Sequence, residues 1–143
     1  MSGRTTGAVN TPGWLGYAAG IGISVVSYGA LLGLWGGGLG GALAAAVFVP
    51  VFGWPYAVPI GVVGAAVVHL TCRGVPEQWV HVAAAAGCGV VGGALFWGWF
   101  GHTAAFGMGS LMVGVAAGLG RTAVVPLVER RRAEVERDFP AHA

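Results

Sequence analysis

The chain has 143 residues, 56% of them hydrophobic and 8% charged, with a mean hydropathy of +0.77 and a net charge of +2. A soluble domain carries about 25% charged residues, so an ordinary water-exposed fold is excluded. The small positive charge, gathered mainly at one end, gives no footprint for nucleic acid.

Between Arg4 and Arg73 there is no Asp, Glu, Lys or Arg, and the one readily titratable side chain in that run is His69. A stretch of this length without charge points to lipid as its solvent. Glycine is abundant, at 28 of 143 residues, without the G-X-Y period of collagen. In transmembrane helices glycine lets backbones approach closely. All basic residues are Arg, and together with the Ala, Gly and Val usage this suggests the codon bias of a GC-rich bacterial genome. No cleavable leader is expected, because only Arg4 precedes an apolar run too long for a signal-peptide core.

Taken in order, residues 1–13 read as a flexible polar tail, with Thr11 as a helix N-cap and Pro12 at the first helical position. The first span is expected from Trp14 to about Trp35, roughly 33 Å of helix, with Trp14 and Tyr17 at one interface and Trp35 at the other. Gly36, Gly37 and Gly38, with Gly40 and Gly41, end it. Residues 42–71 are apolar but contain Pro50, Pro55 and Pro59, which interrupt helical hydrogen bonding. The preferred reading is one kinked span with its membrane core at about 52–71, residues 42–51 lying along the outer surface, dipping in or extending the helix. The rival is two short helices meeting at Trp54-Pro55, giving five spans. A turn follows at 71–77, with Pro76 opening the third helix and Glu77 at its positive end. The third span is expected over 78–100, ending in Phe96, Trp97, Trp99 and Phe100. Gly101-His102 forms a loop. The fourth span begins near Thr103 and continues past Arg121 as a charged helical extension bent at Pro126.

The fold class is therefore all-α: an integral membrane bundle of four transmembrane helices over 14–127, the second kinked by prolines, followed by a charged cytoplasmic helical tail over 128–143. Arg73, Arg121, Arg130, Arg131 and Arg132 act as topology and lipid anchors. They place both termini on the cytoplasmic side of the cell's inner (plasma) membrane. Arg121 has two expected roles, pairing with Glu77 or snorkelling to lipid phosphate.

Small residues recur at four-residue spacing: Gly16, Gly20 and Ser24, then Gly29 and Gly33, then Ala85, Gly89 and Gly93, then Ser110, Gly114 and Gly118. Such stripes favour close helix contact. They suggest a tight bundle with membrane lipid around it, forming a homo-oligomer or joining a larger membrane complex.

Reactive chemistry is sparse. The mid-span polar groups are Ser24, Ser27, Tyr28, Cys88 and Ser110, with no mid-span carboxylate, Lys or Arg, which argues against a proton-coupled pump or voltage sensor. A Ser-His-Asp triad lacks its Asp, and no enzymatic role is expected. His69, Cys72, Glu77 and His81 flank the second turn and are the one candidate metal or haem set, although their spacing matches no established motif. His102 reads as a loop residue. Cys72 and Cys88 are too far apart along the chain for a disulfide to be expected. Three functions follow: a non-catalytic accessory, scaffolding or self-assembling bundle; a small transporter or channel for an uncharged solute, built on the proline-broken segment; and a metal or haem site at the His69/His81 hairpin.

Overall fold

A computed structural model describes residues 12–101 and 103–138. Among these the regular structure is entirely helical: α1 (Gly13–Cys72), α2 (Gln78–Trp99), α3 (Thr103–Ala123) and α4 (Val125–Asp138). Three helical stretches, Gly13–Cys72, Gln78–Trp99 and Phe106–Val135, are long and apolar enough to cross a membrane. The first eleven residues, including Thr11 and the expected flexible tail, lie outside the described residues, as does His102.

The 60 residues of α1 are not one rod. Gly37 and Gly38 leave helical geometry, with φ/ψ of −146°/16° and 62°/−152°. Only glycine adopts the second pair without strain. The chain folds back there, so α1 is a hairpin of two arms, 13–36 and 39–72. A methyl on Gly33 would collide with the Gly41 carbonyl, and one on Gly29 with the Ala45 carbonyl. The backbones near the bend are thus in direct contact.

Of the courses expected for residues 42–51, the second arm takes the one that extends the helix. It is helical from residue 39 onward, and Pro50, Pro55 and Pro59 sit inside it without any further non-helical backbone angle. Residues 42–51 extend the helix, and two short helices meeting at Trp54-Pro55 are not formed. Between the Gly29/Ala45 and Tyr17/His69 contacts the first arm advances 12 residues and the second 24. At 1.5 Å per residue these are about 18 and 36 Å. The second arm therefore takes the longer course, and it leaves space beside the first.

α2 and α3 pack most extensively against each other, and α1 packs on both, more heavily on α3. The first arm meets α3 where Gly20 and Ser24 face Gly120. The second meets α2 where Gly92 faces Ile60 and Gly64 faces Cys88. The four apolar segments thus form a ring, each beside its neighbours in sequence, with the first arm closing on α3.

The helix ends differ from expectation in small, explicable ways. α1 begins at Gly13, whose φ is +70°, and Pro12 takes the capping position. α2 begins at Gln78, with Glu77 as its extended N-cap and Pro76 outside the helix. The expected bend at Pro126 falls at Val124, where Val124 N–H donates to the Arg121 carbonyl and Leu127 N–H to that of Val124. A proline ring clashes with the carbonyl four residues before it. For Pro126 that is Thr122, so the break lies upstream of the proline.

The distribution of bulk is inverted relative to a water-soluble bundle. Trp14, Leu39, Phe52, Trp79, Leu95 and Trp99 are exposed, whereas the buried positions are mostly small: Gly29, Gly89, Gly93, Gly114, Ala116 and Gly118. In lipid, outward bulk has an apolar solvent, and inward glycine gives close packing.

Candidate ligand cavity

The ring surrounds a half-open cavity of about 260 Å³ lined by all four apolar segments. It extends along the first arm from Gly16 to Tyr28, about 18 Å of helix. Glycine lines its walls at Gly53, Gly61 and Gly64 from the second arm, and at Gly89, Gly92 and Gly93 from α2. A methyl on Gly53 or Gly64 would meet no heavy atom closer than 3.7 Å. These glycines leave room that a larger residue could occupy.

One end of the cavity is aromatic. Tyr28, Tyr56 and Phe96 line it. Tyr56 and Phe96 meet edge-on with ring centroids 6.4 Å apart, and Trp97 lies perpendicular to Phe96 at 5.5 Å. The Trp97 indole lies beside Tyr28 and covers Gly109. Bulk from three segments is concentrated here, next to the hairpin bend.

The other end is polar, and Tyr17 and Arg121 line it. Tyr17 Oη and His69 Nδ1 share a hydrogen bond of 3.1 Å that ties the two arms of α1 together. Arg121 is 6% exposed. It donates from Nη2 to Gln78 Oε1 at 2.8 Å, linking α3 to α2. Its electrostatic neighbours are Tyr17 and Cys72. Three buried nitrogens here, Arg121 Nε, Arg121 Nη1 and Gln78 Nε2, have no hydrogen-bond partner among the described residues. All three are donors.

Both expected roles of Arg121 are corrected by this geometry. It does not pair with Glu77, which is exposed; it binds the next residue, whose side chain turns inward as α2 starts. Nor does it snorkel outward, since its side chain is buried. The other anchors behave as surface groups. Arg73, Arg130 and Arg131 are exposed, and Arg132 reaches from α4 to the Pro76 carbonyl at 3.3 Å.

The candidate metal set is not assembled. Among the described residues no three His, Cys, Asp or Glu side chains gather in a metal-holding group. His81 is 1% exposed and donates from Nε2 to the Val75 carbonyl at 2.9 Å, closing the 73–77 turn. His69 is engaged with Tyr17, Cys72 is buried beside Thr71, and Glu77 faces out. Each nearby group already has a local structural role.

The small-residue positions lie mainly at helix contacts. A methyl on Gly89 would lie 2.8 Å from Ala117 Cβ, and one on Gly93 2.9 Å from Ser110 Cα. Gly114 faces Val90 and the Ala86 carbonyl, and Gly118 faces Ala86. Gly29 and Gly33 serve the hairpin, Gly20 and Ser24 the contact with α3, and Ser110 donates to the Phe106 carbonyl. Gly16 sits against Pro12, and Ala85 lines the cavity. The sequence reading missed Gly41, Gly109 and Gly120, which complete three of these contacts: it took Gly41 for a helix terminator, and Gly109 and Gly120 lie outside the stripes it followed. Comparison with protein-family models, curated proteins and solved structures returns no match to this chain.

Proposed function

We propose that this chain is a four-span membrane protein that holds a small apolar or amphipathic molecule in its central cavity, as the ligand step of a carrier. The observation that carries the reading is the glycine-walled space of about 260 Å³. Gly53 and Gly64 keep it open, since a methyl on either would meet no heavy atom closer than 3.7 Å, and its almost wholly apolar walls match an apolar or amphipathic occupant. The reading develops the transporter alternative, with the proline-bearing arm as one wall.

Filling the space tests it. Ala57 lines the cavity, and Ala57→Leu should raise the melting temperature of the purified chain while abolishing retention of the small molecule extracted with wild type. Lipid extraction and mass spectrometry read the second effect. If wild type retains only acyl lipids in the proportions of the surrounding bilayer, the reading fails.

Self-association is a second reading, favoured by Gly22, Gly87 and Gly107, which have open space over them. Chemical cross-linking in native membrane separates a defined homo-oligomer from a single copy.

A further inference from the structure

We infer that the occupant is a single-chain amphipathic anion, a medium-chain carboxylate, whose head group is held by Arg121, itself anchored by Gln78, and whose tail lies toward the aromatic end. The inference rests on the cavity reading and adds the class of ligand.

Two independent observations converge on it. The first is shape. The cavity is elongated, running about 18 Å along the first arm, and almost wholly apolar. A single alkyl chain of medium length fits such a slot, and a sugar, nucleotide or amino acid would leave its polar groups facing Val, Ile and Ala.

The second is the polar end. The three buried nitrogens without partners are all donors, and no acceptor there is left unmatched. The missing partner must therefore accept hydrogen bonds. It should also carry negative charge. Arg121 is buried, forms no ion pair among the described residues, and has only neutral Gln78 as its bonded neighbour. An uncompensated buried charge is strongly unfavourable, and charge-assisted hydrogen bonds to a carboxylate are the strongest relief available. One buried guanidinium matches one negative charge, which favours a carboxylate over a doubly charged phosphate monoester.

Retention of radiolabelled decanoate by the full chain in nanodiscs, at a pH where the free acid is ionised, tests this against decanol, a neutral tail of the same length. Empty nanodiscs give the bilayer background. Wild type should hold decanoate saturably and at least about tenfold more tightly than decanol, as expected for a hydrogen-bonded charged group. Arg121→Gln should weaken decanoate about 10- to 100-fold and leave decanol unchanged. Equal binding of decanoate and decanol by wild type would overturn the carboxylate assignment while sparing the cavity reading; water would then be the partner of the free donors. Retention of neither above background would overturn both. Where Arg121→Gln does not fold, judged by circular dichroism and gel filtration, the wild-type ratio decides alone.

Discussion

Gly38 and Arg121 show two ways in which a single residue sets this molecule. At Gly38 the backbone itself decides. With φ at 62° and ψ at −152°, any side chain adds strain of about 1–3 kcal/mol. Gly38→Ala should therefore destabilise the hairpin by that amount, read as an earlier loss of helical circular dichroism on titration with sodium dodecyl sulfate. The neighbouring Gly36→Ala, at an exposed helical position with open space around it, should have little effect. Equal loss in the two variants would show that the bend does not depend on positive φ. The sequence marked this glycine run as a helix terminator, and composition suffices for that. At Arg121 it offered a pairing with Glu77 or an outward cation, because Arg at the end of an apolar run usually reaches for head groups. Whether such a side chain turns out or in depends on Gln78, 43 residues away. Neither spacing nor hydropathy reports on that.

At the scale of elements, the spans of α2 and α3 were legible because uncharged runs of about 20 residues bounded by turn chemistry admit little else. The second arm of α1 was less so. Its prolines argue for a broken helix in water, but neighbouring helices can absorb the lost hydrogen bonds in a bundle, and the arm stays helical through Pro50, Pro55 and Pro59. The cavity could not be read from the sequence for the same reason, since it arises from how far the second arm travels beside the first. The junction of α3 and α4 offers a direct test of local against tertiary control. If Pro126 alone makes the break at Val124, Pro126→Ala restores a donor to the Thr122 carbonyl and lets the two helices join. Amide hydrogen exchange across 122–128 should then slow roughly fivefold, the equivalent of about 1 kcal/mol for one added hydrogen bond. Unchanged exchange would mean that packing of Val124 and Val128, both buried, holds the bend without the proline.

For the whole molecule, length and charge together constrain how it can sit in a bilayer. Sixty helical residues would span about 90 Å as a rod, three times a hydrocarbon core of about 30 Å. The bend at Gly37 and Gly38 resolves this by giving arms of about 36 and 51 Å, and the longer one is also the one on the longer course. With α2 and α3 completing the ring, the bend and Gly101 share one end of the bundle. Arg73, Arg121 and the arginines of α4 share the other, and positive charge favours the cytoplasmic side. The proposed four crossings with an inward C-terminus make a specific labelling prediction. In a Cys72→Ser, Cys88→Ser background, Gly36→Cys and Phe100→Cys should react with a membrane-impermeant maleimide from outside intact cells. Gly74→Cys and Glu134→Cys should react only in inverted vesicles. Labelling of Gly36→Cys from the same face as Glu134→Cys would make the first hairpin a re-entrant element entering and leaving on one side. The cavity would then open to the cytoplasm at its aromatic end as well, and a head group held at Arg121 would no longer mark the only polar entrance among the described residues.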